Sequence, residues 1–94
     1  MRVKLTPAAQ RDFAAQVAWL ATRSPTAGRR AALAIVEALD LLREFPEAGP
    51  SIEVEVRQKT VRFGAYGYVI EYECHPSIIF VTRIYHGAQD RTRD

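Results

Sequence analysis

Arg83, Tyr85, His86, Asp90 and Arg91 crowd into nine residues near the end of the chain. Their types suit work on an anion. A guanidinium is a permanent cation whose fork matches phosphate or carboxylate. Imidazole moves a proton near neutral pH. These residues follow Ile78-Ile79-Phe80-Val81, a run of large apolar side chains with no charge. Such a run reads as a strand buried on both faces, near the middle of a sheet. The polar cluster is therefore mounted on a rigid support. Strand alternation puts Arg83 and Tyr85 on one face and His86 on the other.

Other chemical patterns are weaker. Glu71 and Glu73 stand two apart and could form an acid/base pair, but their positions read as a solvated strand face. Cys74 is the one cysteine, so no disulfide can close within the chain, and a lone Cys reads as a small buried hydrophobe. His75 beside it points to a turn. No set of His, Cys, Asp and Glu has metal-ligand spacing, and no cofactor motif is present. Gly64-Ala65-Tyr66-Gly67 has turn spacing rather than that of a phosphate loop. No Ser sits on a nucleophile elbow.

The elements that must position these groups follow from periodicity. Arg2-Val3-Lys4-Leu5 alternates and reads as a short strand. Thr6-Pro7 starts a helix, with Thr at the N-cap and Pro at the first helical position. That helix runs to about Thr22, with Ala9, Phe13, Val17 and Leu20 as its apolar stripe. Trp19 lies off the stripe, either as a partly buried edge residue or as part of a partner-binding patch. Ser24-Pro25 repeats the start signal for a second helix to about Arg43. Its inner stripe is predicted as Ala32, Ile35, Leu39 and Leu42, flanked by Ala31, Val36 and Ala38. The short link makes the two helices an antiparallel hairpin. Arg29 and Arg30 in the first turn oppose the helix dipole, so they are either solvated or in contact with an anion or acidic partner.

Pro46 and Gly49-Pro50 end the second helix and open a loop. A period of two begins at Ile52. Three strands follow: Arg57 to Phe63, Tyr66 to Cys74, and the run from Ile78. Short turns between them make an antiparallel meander. The predicted class is α+β in the order β-α-α-β-β-β, with the helices on one face of the sheet.

The 94 residues argue for one domain spanning 1–94. Hydrophobic residues at 48% and charged residues at 26% make an ordinary globular balance, not a disordered one. The net charge of +2 is only mildly basic. Residues 1–45 hold seven Lys or Arg against four acids, and residues 46–94 hold six against seven. No apolar run reaches the length of a membrane span. With one cysteine and no leader-like start, the expectation is a soluble protein of the reducing cytoplasm.

Taken together, several stretches resemble the RelE/ParE superfamily of toxins from bacterial type II toxin–antitoxin modules. They are Leu5-Thr6-Pro7-Ala8-Ala9-Gln10-Arg11-Asp12, the Ser24-Pro25 helix with Leu41-Leu42-Arg43-Glu44-Phe45-Pro46-Glu47-Ala48-Gly49, Val61-Arg62-Phe63-Gly64, Gly67-Tyr68-Val69-Ile70-Glu71-Tyr72, and Ile84-Tyr85-His86-Gly87-Ala88-Gln89-Asp90-Arg91. The likeness covers almost the whole chain.

The resemblance implies a growth-arresting toxin held silent by a cognate antitoxin in a hetero-oligomer. Two targets are known for the superfamily. RelE-like members cleave mRNA on the ribosome; ParE-like members poison DNA gyrase. Metal-free RNA cleavage needs a base, an acid and cations at one point. Arg62, Arg83, Tyr85 and His86 are the candidates for such a set. Gly67 and Tyr68 stand near where the ribonuclease branch usually carries an Arg, and Lys is scarce, so the likeness is closer to the ParE-like branch. His86, Asp90 and Arg91 are then candidates for target recognition. Val17, Trp19, Arg29 and Arg30 are candidates for antitoxin contact. A relative that only binds antitoxin is the remaining alternative.

Overall fold

The computed structural model describes residues 1–88. Strand β1 (Arg2–Leu5) leads into helix α1 (Pro7–Ala21) and helix α2 (Pro25–Glu44). Strands β2 (Ser51–Glu53), β3 (Val56–Val61), β4 (Tyr68–Cys74) and β5 (Ile78–His86) follow. They form one sheet in the order β1-β5-β4-β3-β2. β1 runs parallel to β5, and the other neighbours are antiparallel.

Both helix starts follow their local sequence. The Thr6 hydroxyl accepts from the Ala9 N–H, the Ser24 hydroxyl accepts from the Ala27 N–H, and Pro occupies the first helical position of each. Both helices cover one face of the sheet. Ala9, Ala31, Ile35 and Leu42 meet Ile70, Tyr72, Ile79, Val81 and Ile84 in a core whose members are all but fully buried.

The inner face of α2 is rotated from the predicted one. Gly28, Ala31, Ile35, Ala38 and Leu42 are buried, Ala32 and Leu39 only partly so, and Val36 is exposed. The cause lies at Gly28. A Cβ built there would stand 2.8 Å from the Ala21 Cβ and 3.0 Å from its Cα, so the missing side chain is what lets α2 approach α1. That contact turns the Gly28 side of the helix inward.

The meander has one strand more than predicted. The alternation from Ile52 is a short hairpin: β2 turns at Val54 and Glu55 into β3, and Glu55 takes φ 64. β4 begins at Tyr68, leaving Tyr66 exposed in the preceding turn. Glu71 also departs from expectation: it is 5% exposed rather than solvated. β4 is the central strand, and Glu71 lies between Gln58 of β3 and Arg83 of β5 on the face away from the helices.

β5 carries an irregularity that matters for its far end. Glu71 pairs with Arg83 but Tyr72 pairs with Val81, so Thr82 is the extra residue of a bulge. Val81 and Ile84 therefore both face the helices, although they are three apart. The Thr82 hydroxyl donates to the Glu71 carbonyl at 3.1 Å.

Candidate functional site

β1 stops pairing at Val81, so β5 continues with an uncovered edge. The start of α1 closes it. The Thr6 N–H donates to the Val81 carbonyl at 3.0 Å, and the Thr6 hydroxyl to the Thr82 carbonyl at 3.2 Å. Further along α1, Asp12 Oδ2 accepts from the Ile84 N–H at 2.9 Å. The same carboxylate takes Arg83 Nε at 2.7 Å on Oδ2 and Nη2 at 3.2 Å on Oδ1. Hydrogen bonding and the charge of Asp12 push the Arg83 guanidinium still further above its ordinary value. Arg83 is thus a fixed cation with its fork already occupied. Its carbon Cζ also lies 5.3 Å from the centre of the Tyr85 ring.

His86 points to the other side. It pairs with Tyr68 across β4, and its ring stands edge-on to Tyr68 at 5.7 Å. The exposed Tyr66 ring lies 5.8 Å away. His86 Nδ1 accepts from the Ala88 N–H at 3.1 Å, which leaves a ring proton to Nε2. The turn before β4 braces this end, since the Gly87 N–H donates to the Gly67 carbonyl at 2.8 Å. His86, Ala15, Gln16 and Trp19 line one groove between α1 and the end of β5. Trp19 is 57% exposed, and the Arg23 guanidinium stacks 3.8 Å above its ring.

The candidate residues therefore divide. Arg83 and Tyr85 share the face away from the helices. His86 and Trp19 share a groove on the helix side. Arg62 is exposed in the connection from β3 to β4 and lines a separate surface pocket there. Val17 is half-buried; Arg29 and Arg30 are exposed at the start of α2, outside the groove. Asp90 and Arg91 lie outside the described residues. Among the described residues no His, Cys, Asp and Glu cluster is placed to hold a metal ion, and no helix is long and apolar enough to cross a membrane.

Cys74 lies against the loop that leaves α2, with its Sγ 3.5 Å from the Pro46 carbonyl. Burial pushes its thiol pKa up, so it stays protonated and a poor nucleophile. Asp12 and Tyr66 are parts of the site that sequence reasoning did not single out, and Tyr68 entered it only as standing near where the ribonuclease branch usually carries an Arg. Only its side-chain type could have flagged Tyr66. Nothing local marks Asp12, whose partner is 71 residues away.

The sequence pattern described as ParE toxin of type II toxin-antitoxin system, parDE, matches residues 3–91. The chain belongs to this family. Two curated relatives come from Caulobacter vibrioides. The chain is 40% identical over 83 residues to the protein named Toxin RelE1, covering 88% of this chain and 89% of the relative. It is 34% identical over 89 residues to Toxin RelE3, covering 95% and 97%. A chain of the solved chromosomal ParDE TA system from P. aeruginosa superposes with a TM-score of 0.73 over 92% of this chain and 95% of that one. At 23% identity that likeness speaks for the fold alone. The chain is therefore a type II toxin of the RelE/ParE superfamily, with the α+β architecture of a ParDE toxin.

Proposed function

We propose that this toxin acts by protein–protein contact on DNA gyrase, as a ParE-like member, and is silenced in the cytoplasm by a cognate antitoxin. The observation that carries the reading is the separation of the candidate ribonuclease residues. Arg83 is clamped by Asp12 on one side of β5, while His86 faces a groove on the other. A phosphodiester would need its cation, base and acid at one point. Exposed Trp19 and Leu33 on the helical hairpin, 57% and 60% accessible, support an antitoxin that covers this surface. Apolar area of this kind is what an amphipathic segment folding on binding would bury.

The test uses purified protein in two assays. Inhibited gyrase supercoiling with intact ribosome-bound mRNA supports the reading. Cleaved mRNA with untouched supercoiling overturns it. The RelE names of the two curated relatives favour the second reading, a ribosome-dependent endoribonuclease. In that case Tyr85→Phe and His86→Phe abolish activity, whereas a gyrase poison tolerates loss of their proton chemistry. An inactive, antitoxin-binding relative would cause no growth arrest on induction.

A further inference from the structure

Far from β5's C-terminal end, the loop leaving α2, the β2–β3 hairpin and the β4–β5 turn enclose a cleft of about 860 Å³. Its walls come from a stretch of unusual charge. Residues 44–56 hold four glutamates and no Lys or Arg, in a chain whose net charge is +2. Glu44, Glu47 and Glu55 line the cleft together with Phe45, whose side chain is 56% exposed. The loop that walls the cleft is pinned from the core side. The buried Tyr72 hydroxyl accepts from the Gly49 N–H at 2.9 Å and donates to the Pro46 carbonyl at 2.8 Å.

Arg57 and the Met1 ammonium also line the cleft and keep their charge, but their hydrogen bonds go to backbone carbonyls and not to the carboxylates. Arg57 Nη1 donates to the Gly49 carbonyl at 2.8 Å. The terminal ammonium of Met1 donates to the Arg43 carbonyl at 3.0 Å, and His75 pairs with Glu73 at 3.1 Å. Among the described residues no cation forms an ion pair with Glu44, Glu47 or Glu55. An exposed aromatic ring therefore stands among three carboxylates without ion-pair partners, which outnumber the Arg57 and Met1 cations of the lining, in a cleft whose volume is in the range of binding pockets. The complement is a segment with Lys or Arg on either side of a bulky apolar side chain.

We propose that this cleft docks a basic, apolar-anchored segment of the cognate antitoxin, away from the Trp19 groove. Only the partner's identity rests on the toxin–antitoxin reading; the peptide chemistry follows from the cleft. The apolar side chain lies against Phe45, and the flanking cations reach Glu44, Glu47 and Glu55.

The probe is a fluorescein-labelled peptide alternating leucine and arginine, followed by anisotropy. The full chain binds it, and the triple variant Glu44→Gln, Glu47→Gln, Glu55→Gln binds about tenfold more weakly, since each exposed pair adds little alone. Added salt weakens binding to the unaltered chain. Phe45→Ser, or serine in place of leucine in the peptide, weakens it as well. Trp19→Ser leaves it unchanged. All three glutamates are exposed, so an unchanged melting temperature verifies that the triple variant is folded. Equal binding by the triple variant overturns the proposal, as does loss on Trp19→Ser. Equal binding of the serine peptide would reveal diffuse charge attraction only and overturn it too. The antitoxin assignment is read separately: pull-down of the product of the adjacent reading frame weakens with the triple variant, and an undiminished pull-down overturns that assignment. None of these readouts depends on gyrase or mRNA, so failure here is distinct from failure of the proposed target.

Discussion

Asp12 of α1 and Arg83 of β5 are joined by two hydrogen bonds, 2.7 Å to Nε and 3.2 Å to Nη2, and Asp12 also takes the Ile84 N–H at 2.9 Å. The carboxylate therefore completes the edge of a strand that β1 leaves uncovered. The Arg83 side chain is nearly half exposed, so the ion pair itself contributes about 0.2–1 kcal/mol. A part-buried N–H left without an acceptor costs more, about 1–3 kcal/mol. Asp12→Ala is expected to destabilise the fold by about 2 kcal/mol, and Arg83→Ala by under about 1 kcal/mol. Asp12→Asn keeps an oxygen for Ile84 and falls between them. Urea unfolding of the three variants checks the order; equal losses for Asp12→Ala and Arg83→Ala would place the stability in the ion pair instead.

Gly28 gives a prediction of opposite sign to helix propensity. Gly→Ala inside an exposed helix stabilises by about 1 kcal/mol. Here the new methyl would meet Ala21, with the Cβ at 2.8 Å and the Cα at 3.0 Å. The backbone atom cannot swing away, so the hairpin must open. Overpacking costs about 1–3 kcal/mol, which outweighs the gain. Gly28→Ala is expected to lower the thermal midpoint, and a raised midpoint would show that the helices have room to separate.

Features set by neighbours in sequence were legible, and features set across space were not. Thr6-Pro7 and Ser24-Pro25 mark both helix starts because capping involves residues three apart. The apolar run at Ile78 announced an interior strand for the same local reason. The β2–β3 turn was missed because Val54-Glu55 lacks the Gly or Asn that usually signals φ > 0, although Glu55 adopts φ 64. Glu71 was misplaced because its burial comes from β4's central position, which alternation does not encode. The faces of Arg83, Tyr85 and His86 were read correctly from the period, yet Asp12's hold on Arg83 spans 71 residues and has no local sign.

Tyr72 links stability to alkaline pH. Burial, the largest cause, raises its phenol pKa above the ordinary value of 10.0. Above pH 10 the unfolded chain releases this proton first, so the unfolded state holds fewer protons and stability falls with rising pH. The contribution is complete below pH 10 and is lost as pH climbs through the higher folded value. Tyr72→Phe removes the bonds to Gly49 and Pro46 and leaves the buried Gly49 N–H unpaired. It is expected to cost about 1–3 kcal/mol at neutral pH. It should also flatten the decline of the melting temperature above pH 10. An unchanged alkaline slope would assign that decline to other groups, of which Tyr68, raised by burial as well, is the first to examine.

Trp19 tests the surface assigned to the antitoxin. Its ring is 57% exposed, capped by Arg23 and open to the groove that ends at His86. A large exposed aromatic held in place by its own helix is the type of residue that dominates an interface, where truncation costs about 2 kcal/mol or more. Trp19→Ser is therefore expected to weaken antitoxin binding by about thirtyfold, measured by calorimetry on the purified pair. The free toxin should keep its melting temperature, because the ring is mostly outside the core. Arg23→Ala separates two roles for the stacked guanidinium. If Arg23 only orders the ring, affinity falls slightly and salt dependence is unchanged. If it also pairs with an acidic antitoxin side chain, affinity falls further and the salt dependence flattens. Undiminished binding by Trp19→Ser would move the antitoxin contact away from this groove.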